Sequence, residues 1–276
     1  MNDVLLSIII ANYNYGRFLD SAIQSVVGQE GFSKCELIVV DGGSSDDSVE
    51  IIKRYSDKIS WWISEKDKGQ SDAFNKGFSH ARGKYLTWLN ADDIYVPGCL
   101  KHVTDELEKY PKTQWFTGNY FRFLESDKSI YEINWGPNFY PDWLQHPNSP
   151  VVSYGPSSFF AKRIYEQVGG IDEEMHMIMD TDLWLRFMAR RIKQRRIRCF
   201  CWAFRMHESS KTAEYDGHFT GPSKQLKDER IRAAQKVKYK ESTLLKLALY
   251  LWRLLDGSII KLWFLRIILT AKTVKC

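Results

Sequence analysis

Residues 81–93 read ARGKYLTWLNADD, a short apolar run that ends in two adjacent carboxylates, Asp92 and Asp93. Gly83 before the run and Pro97 after it bound the segment, which predicts a buried strand followed by a turn. Adjacent carboxylates repel each other, and the usual compensation is a hard divalent cation that is shared with phosphate oxygens. The alternative is an exposed turn with two solvated aspartates, and the pair alone does not decide between the two interpretations.

Three further apolar runs precede this segment: residues 5–11 (LLSIIIA), 35–40 (CELIVV) and 60–64 (SWWIS). Near-continuous apolar runs are typical of parallel strands that helices cover on both faces. Stretches with apolar residues at helical spacing separate the runs, and the last of them predicts a helix from about Ser71 to Ala81. The alternation predicts an α/β fold with a mostly parallel central sheet.

Polar residues follow each predicted strand: 12–14 (NYN), 41–43 (DGG), 65–70 (EKDKGQ) and 90–93 (NADD). Ligands of open α/β sheets bind in the crevice outside the carboxyl ends of the strands, so these residues form the candidate site. The sequence has neither a Gly-x-Gly-x-x-Gly motif after the first strand nor a Walker lysine loop. This argues against dinucleotide-binding and P-loop proteins.

These segments and two later ones resemble the family 2 glycosyltransferases of GT-A fold, in the bacterial branch that builds surface polysaccharides. In chain order the similar blocks are SIIIANYN (7–14), LIVVDGGSSDDS (37–48), SEKDKGQSDAFNKGFSHARGKYLTWLNADD (64–93), VGGIDEEMHMIMDTDLWLRF (168–187) and FRMHESSKT (204–212). The resemblance covers roughly residues 5–212, and several motifs in order are far more specific than one. It implies a Rossmann-like nucleotide-diphospho-sugar transferase.

Carried over position by position, the resemblance implies a nucleotide-sugar donor site. Its residues would be Ala11, Tyr13, Asp41, Lys68, Gly69, Gln70, Asp72, Asn75, Asn90, Asp92 and Arg205. Ala11 and Tyr13 would line the nucleobase, and Asp41 would accept a hydrogen bond from it. The residues from Lys68 to Asn75 would border the nucleoside and the sugar.

The acidic motif would hold a divalent metal ion, Mn²⁺ or Mg²⁺. The resemblance places Asp92 near the ribose and Asp93 on the metal, with Asp92 and His207 as further candidate metal ligands. Asn90 stands where many relatives have aspartate, and we interpret this as a variant because asparagine can still hydrogen-bond a ribose hydroxyl. Arg205 would neutralise the leaving diphosphate. For His207 the alternative is a solvated loop residue.

Asp180 is the candidate general base. It would cap a helix predicted from Thr181 to about Arg190. The resemblance puts a catalytic carboxylate at this helix start, with Met179 in place of a glutamate, which leaves Asp180 as the base and Asp182 as the reserve candidate. Inverting sugar transfer needs one base for the acceptor hydroxyl and a Lewis acid on the leaving diphosphate. The alternative is a helix cap that does no chemistry.

The 276 residues, 44% of them hydrophobic, predict a catalytic domain at 1–212 and a helical extension at 213–276. Residues 1–113 would form the nucleotide-sugar half and 114–212 the acceptor and base half. Aromatic residues between 114 and 160 suit stacking on sugars or an ordinary core. Five scattered cysteines suggest neither zinc nor a disulfide framework, and no signal peptide precedes the first strand, which predicts a cytoplasmic location.

The net charge of +5 is unevenly distributed, because residues 186–240 carry 16 lysines and arginines against five aspartates and glutamates. Nucleic-acid binding is the weaker interpretation, because the basic block leads into an apolar stretch at 244–271. Charged residues interrupt that stretch too often for a spanning helix. Two amphipathic helices, broken near Gly257 and lying on an anionic inner membrane surface, fit better. Packing on the protein's own core or in a homodimer is the alternative.

The sequence therefore predicts a metal-assisted inverting glycosyltransferase with a nucleotide-diphosphate donor, UDP-linked. Its acceptor would be a hydroxyl of a lipid-linked or growing surface glycan. Two other functions stay open at this point. A metal-dependent nucleotidyltransferase shares the strand-end carboxylates but would lack the blocks around Asp180 and His207. A catalytically inert, membrane-associated glycan-binding protein would keep the fold without the reaction.

Overall fold

The computed structural model describes residues 4–136, 145, 155–210 and 224–269, with side chains of the last helix up to residue 263. The strands are β1 (Leu6–Asn12), β2 (Cys35–Asp41), β3 (Ile59–Ser64), β4 (Tyr85–Asn90), β5 (Ile94–Tyr95), β6 (Trp115–Leu124), β7 (Ile130–Asn134), β8 (Ser158–Ala161) and β9 (Gln194–Met206). The helices are α1 (Gly16–Val27), α2 (Ser48–Arg54), α3 (Gln70–His80), α4 (Cys99–Lys109), α5 (Lys162–Val168), α6 (Met179–Ala189), α7 (Lys224–Lys236), α8 (Thr243–Leu255) and α9 (Ser258–Leu269).

In the described part of the chain, all strands belong to one sheet with the order β3-β2-β1-β4-β8-β6-β9-β5, and β7 pairs with β6. The neighbours β3, β2, β1 and β4 run parallel, as the sequence predicts. Strand β8 is antiparallel to both β4 and β6, so the second half of the sheet is mixed. The parallel half brings the ends of four strands to one edge.

The strand register aligns the polar strand ends. Asn12 pairs with Asp41, Asp41 pairs with Ser64, and Ala11 pairs with Asn90. Residues that lie far apart in the sequence therefore meet at the carboxyl edge of the sheet.

A stack of aromatic side chains fixes α6 against the sheet. Trp184 of α6 stacks on Trp88 of β4 and on Trp115 of β6, with ring centroids 5.6 and 5.3 Å apart. All three side chains are buried. Aromatic pairs contribute about 0.5–1.5 kcal/mol beyond the burial of their area. Because Trp88 lies on the strand that leads into the acidic turn, the stack sets the position of α6 relative to that turn.

Helix α7 packs into the core, although it lies in the segment predicted as an extension. Leu226 is 7% exposed, and Glu229 and Ala233 are 0% exposed. At the end of the helix, Lys236 forms ion pairs with Asp172 and Asp182. Helix α7 is therefore part of the core although it follows residue 212, and the domain boundary at that residue stays a prediction.

The part of the extension that follows α7 consists of α8 and α9, which are separated at Gly257 as the sequence predicts. Gly257 has a positive φ of 74°, a conformation that favours glycine. Within the described ranges, none of the helices is long and apolar enough to cross a bilayer.

Candidate active site

Two loops at the carboxyl edge of the sheet are bonded to each other. The Asn14 amide donates to Ser44 Oγ at 2.8 Å, and the Ser45 amide donates to Asn14 Oδ1 at 2.8 Å. Tyr13 belongs to the first of these loops, and its side chain is 57% exposed. Ala11, the residue before Asn12 at the end of β1, is half-buried. The exposed ring of Tyr13 is therefore open to stacking by a flat ligand.

Asp41 lies beneath these loops and is fully buried. Its carboxylate accepts hydrogen bonds from Asn12 Nδ2 at 2.7 Å, from Ser64 Oγ at 2.6 Å, and from the amide and hydroxyl of Ser44. Burial would raise the pKa of Asp41, but the bonds from Ser44, Ser64 and Asn12 offset it and lower the pKa below its usual value. Protein donors thus hold this carboxylate, and its contact with a nucleobase stays a prediction.

The acidic turn after β4 turns its two carboxylates in different directions. Asp93 is 0% exposed and accepts hydrogen bonds from the Arg205 amide at 2.9 Å and from Asn90 Nδ2 at 2.7 Å. Burial, and next the charge of Asp92, raises the pKa of Asp93 well above its usual value. Asp93 was predicted as the metal ligand, but it faces the protein interior. Its carboxylate is bonded to protein donors in this conformation, and its role as a metal ligand stays a prediction.

Arg205 also faces inward. Its guanidinium donates to the Asp92 carbonyl at 2.7 Å, to Glu125 Oε2 at 2.6 Å and to Ser21 Oγ at 3.0 Å. Arg205 is 3% exposed. Arg205 therefore supports the acidic turn through its contacts with Asp92 and Asp93, and its role on the diphosphate stays a prediction.

Asp92 points the other way and meets His207. The distance from Asp92 Oδ2 to His207 Nε2 is 3.1 Å, and the two residues lie 115 positions apart in the chain. The imidazole ring packs against Phe18 with centroids 4.5 Å apart, and its Nδ1 lies 3.1 Å from Ser209 Oγ. The structure thus brings together two of the three predicted metal ligands.

Tyr15 is a residue of this site that the sequence reasoning missed. Its ring lies 5.8 Å from the His207 ring, and its hydroxyl donates to the Ser209 carbonyl at 3.0 Å. Burial, followed by the charges of Asp92 and Asp93, raises the pKa of Tyr15 to about 12, so the phenol keeps its proton at neutral pH. The available signal was the position of Tyr15, directly after the NYN motif at the end of the first strand.

Asp92 and His207 fit a divalent cation. Mg²⁺ and Mn²⁺ often take only one or two ligands from protein, and phosphate oxygens and water supply the rest. Across the described ranges, no group of three or more His, Cys, Asp or Glu residues is arranged to hold a metal ion. A cation at this pair would therefore depend on the oxygens of a bound diphosphate.

The first residue of α3, Gln70, contacts the end of the strand that leads into the acidic turn. Gln70 Nε2 donates to Asn90 Oδ1 at 3.1 Å. Asp72 accepts from the Lys68 amide at 3.0 Å, and Gly69 has a positive φ of 114°. Gln70 and Asn90 thus place two amide side chains side by side, whereas Asp72 shapes the loop before α3.

Asn75 lies elsewhere. Its Oδ1 accepts hydrogen bonds from the Tyr165 hydroxyl at 2.5 Å and from the Ile171 amide at 3.0 Å, and its Nδ2 donates to the Ile171 carbonyl at 2.8 Å. This side chain joins α3 to α5 and to the segment after it, and its contact with the nucleoside stays a prediction. A cavity of about 440 Å³ lies beside it, away from the acidic turn, and includes Asn75, Ile171, Asp172, Arg186 and Lys236 in its lining.

Asp180 lies in the first turn of α6, which begins at Met179 and not at Thr181. It is therefore not the cap residue, a position that Ile178 occupies. Its carboxylate accepts a hydrogen bond from the Thr181 amide at 2.6 Å, and the residue is partly exposed. The positive end of the helix dipole favours a charged carboxylate at this position.

Asp182, the reserve base, is 0% exposed and bound to two cations. Its Oδ2 lies 2.7 Å from Arg186 Nη2, and its Oδ1 lies 3.4 Å from Lys236 Nζ. A base must reach the acceptor hydroxyl, which favours Asp180 over this buried carboxylate, and the reserve candidacy of Asp182 stays a prediction.

Part of the predicted acceptor side, residues 137–144, 146–154 and 211–212, lies outside the described residues. Among the described aromatic residues of this side, Trp115, Phe116, Tyr120, Phe123 and Trp135 are buried. These five are core residues. This agrees with the alternative that the aromatic residues form an ordinary core and do not stack on sugars.

Comparison with known proteins decides the family. The sequence profile described as Glycosyl transferase family 2 matches residues 7–169, more than half of the chain. The chain belongs to glycosyltransferase family 2. An uncharacterized glycosyltransferase of Rickettsia prowazekii (strain Madrid E) is 28% identical to this family 2 member over 187 residues, 66% of this chain and 58% of that protein.

Glycosyltransferase GlyG of Streptococcus pneumoniae serotype 4 is 28% identical over 138 residues, 49% of this chain and 45% of that protein. The chain thus spans less than two thirds of the length of these two relatives.

Solved structures of S. aureus TarS 1-349 share the fold. The complex with UDP-GlcNAc has a TM-score of 0.59 at 13% identity and covers 76% of this chain and 61% of TarS 1-349. The structure of TarS 1-349 without a named ligand has a TM-score of 0.57 at 14% identity and covers 73% and 60%. The fold class predicted from the sequence, an α/β GT-A fold with a mostly parallel sheet and C-terminal helices, is confirmed.

Proposed function

We propose that this family 2 member transfers a sugar from a nucleotide-diphosphate donor, UDP-linked, to a hydroxyl of a lipid-linked or growing surface glycan. The observation that supports this most is the pair of Asp92 and His207, 3.1 Å apart at the carboxyl edge of the parallel strands. Family membership and the UDP-GlcNAc complex of the structural neighbour TarS agree with such a donor.

In this proposal each part of the nucleotide-sugar donor has its own contacts with the protein. The exposed ring of Tyr13 stacks on the nucleobase, next to Ala11. The amides of Gln70 and Asn90 bind donor hydroxyls. Asp92 and His207 hold Mn²⁺ or Mg²⁺, and a bound cation supplies charge stabilisation for the leaving diphosphate.

Asp180 performs the proton transfer in this proposal. Its carboxylate accepts the proton of the acceptor hydroxyl while that oxygen bonds to the anomeric carbon of the sugar. The bond from this carbon to the diphosphate breaks, and the nucleoside diphosphate leaves with the electron pair. The attack inverts the anomeric centre, and the protein needs no nucleophilic side chain.

A donor screen tests this function. UDP-, GDP- and dTDP-sugars are compared in thermal-shift binding with and without Mn²⁺, and release of free nucleotide is then measured for those that bind. We expect a UDP-sugar to bind best, with Mn²⁺-dependent UDP release. Pyrophosphate released from a nucleoside triphosphate and a sugar phosphate would indicate the nucleotidyltransferase instead. Binding of glycans without release from any donor would indicate the inert glycan-binding protein.

We further propose that α8 attaches the protein to the anionic inner face of the cytoplasmic membrane. One face of this helix is apolar and exposed. Its residues, named here the leucine stripe, are Leu244, Leu247, Tyr250, Leu251, Leu254 and Leu255, which are 39–82% exposed. Spacings of three and four residues put them on one side of the helix.

The sequence predicts that the basic residues of this region face acidic lipid, but two of them contact the protein itself. Arg253 Nη2 donates to the Trp135 carbonyl at 2.7 Å, and Lys261 Nζ lies 4.2 Å from the centre of the Trp135 ring. These two cations dock the extension on the body of the protein and leave the leucine stripe outside. Attraction to acidic lipid would then come from the exposed side chains of Lys238, Lys240 and Lys246.

A lipid surface fits the leucine stripe better than a second copy of the chain. Helix α8 has 13 residues, fewer than two heptads, whereas coiled-coil pairing generally needs three or four heptads. The lysines beside the stripe would also repel an identical copy, whereas they attract anionic headgroups.

Vesicle co-sedimentation tests the attachment. The full chain should bind vesicles that contain phosphatidylserine more strongly than vesicles of phosphatidylcholine alone, and salt should weaken the binding. The double variant Leu247→Gln/Leu251→Gln should bind at least about tenfold more weakly. The control Ile231→Gln changes an exposed apolar residue of α7 and should bind like the wild type. Equal binding of both variants, or a homodimer that only the double variant loses, would contradict the proposal.

A further inference from the structure

Glu229 of α7 is a carboxylate buried in an unusual place. It is 0% exposed, and it accepts hydrogen bonds from the amides of His176, Met177 and Ile178 at 3.2, 2.8 and 3.3 Å. Gln225 Nε2 donates to it at 3.1 Å. The carboxylate thus holds three consecutive amides of a segment 51–53 positions earlier in the chain.

This segment leads directly into α6. Ile178 is the residue before the helix, and Asp180 is its second residue. The first amides of a helix and those just before it have no partners within the helix, so an outside acceptor fixes where the helix starts. A charged acceptor makes stronger hydrogen bonds than a neutral one. Glu229 therefore fixes the start of α6 relative to α7.

A second contact braces the same unit from the other end of α7. Lys236 reaches Asp172, in the segment before α6, and lies 3.4 Å from Asp182 within α6. Glu229 and Lys236 lie seven residues apart, which is close to two helical turns. One face of α7 is thus bonded both to the approach to α6 and to α6 itself.

We propose that Glu229 is a positioning residue for Asp180, and that α7 sets the distance between this carboxylate and the acceptor hydroxyl. The inference rests on the proposed role of Asp180 as the base. A general base works only within hydrogen-bond reach of the proton that it removes, and a shift of 1 Å can cost about 10²-fold in rate. Helix α7 lies beyond residue 169, where the family match ends, so the match itself does not include this brace.

The test compares Glu229→Gln with Asp228→Asn. The second variant makes the same chemical change at the adjacent, exposed position of α7. Hydrogen exchange followed by mass spectrometry reads the amides of residues 176–178 without any ligand. We expect these amides to exchange at least about tenfold faster in Glu229→Gln and at the wild-type rate in Asp228→Asn.

The functional readout is UDP release from UDP-GlcNAc with water as the acceptor. In Glu229→Gln, kcat should fall by roughly 10- to 100-fold, while the donor KM stays within about twofold of the wild-type value. A general loss of structure would change both constants and the exchange across the whole chain. If Glu229→Gln does not fold, Gln225→Ala removes one partner of the carboxylate and should show the same changes in weaker form.

The outcomes separate the two proposals. Unchanged exchange at residues 176–178, or faster exchange with unchanged kcat, would overturn the positioning role. If Asp180→Asn leaves kcat unaltered, the proposed base is wrong. Then the exchange result still decides whether Glu229 fixes the start of α6.

Discussion

The two carboxylates of the acidic turn should respond differently to removal. In Asp93→Ala, the Arg205 amide and Asn90 Nδ2 lose their acceptor in a position that is 0% exposed. An unpaired buried donor costs about 1–3 kcal/mol, which gives about 2–6 kcal/mol for this pair. Relief of the unfavourable buried charge next to Asp92 reduces the loss, so we expect a net destabilisation of about 2–4 kcal/mol.

For a protein of this size, 1 kcal/mol corresponds to a shift of about 2–4 °C in Tm. Asp93→Ala should therefore melt about 4–16 °C lower than the wild type in scanning calorimetry. Asp92→Ala removes a partly exposed carboxylate and should shift Tm by less than about 4 °C. Mn²⁺-dependent UDP binding should be lost in Asp92→Ala, and in folded Asp93→Ala it should persist. The reverse pattern, a normal Tm with loss of the metal effect only in Asp93→Ala, would refute this reasoning.

Three further variants probe the base and the pH dependence of stability. Asp180→Asn should slow sugar transfer by roughly 10²–10⁴-fold with nearly unchanged nucleotide affinity, whereas Asp182→Asn should lower Tm because it leaves Arg186 without its buried partner. A slower Asp182→Asn at normal Tm would move the base to that position. The folded-state pKa of Asp41 lies below its usual value of 3.8, so the stability it provides is present above that pH and is lost as the pH falls through the lowered pKa. Chemical denaturation should accordingly show the largest difference in free energy of unfolding between the wild type and Asp41→Asn at neutral pH, and a smaller difference in acid. A difference that does not change with pH would contradict this.

The sequence predicts the parallel half of the fold well, because each strand and helix there has its own local pattern. The apolar run before Asp92 and the run before Asp41 are continuous, and their polar ends follow directly. The carboxyl ends of adjacent parallel strands must meet at one edge, so the site's location follows from the order of these elements.

The direction of individual side chains could not be predicted in the same way. Asp92 and Asp93 lie in the turn after β4, where no strand alternation fixes the direction of a side chain. Which of the two carboxylates faces the ligand depends on partners distant in the chain, such as the Arg205 amide 112 positions away. The same holds for Asn75, whose partners lie 90 and 96 positions away.

The region from α7 onward has the least predictable features. The sequence predicts an extension that includes α7, because the resemblance to the family ends near residue 212. The buried residues Leu226, Glu229 and Ala233 join it to the core instead, together with the ion pairs of Lys236. Local periodicity contains no signal for a carboxylate that bonds to backbone amides about 50 residues earlier.

Titration of UDP into the wild type and into Asp92→Asn, each with and without Mn²⁺, tests the central claim most directly. Isothermal calorimetry gives the affinity in all four conditions without knowledge of the acceptor. If Asp92 and His207 hold the cation against the diphosphate, Mn²⁺ should strengthen binding to the wild type by at least about tenfold and have little effect on Asp92→Asn. Binding to the wild type that ignores Mn²⁺, or an undiminished Mn²⁺ effect in Asp92→Asn, would contradict the claim.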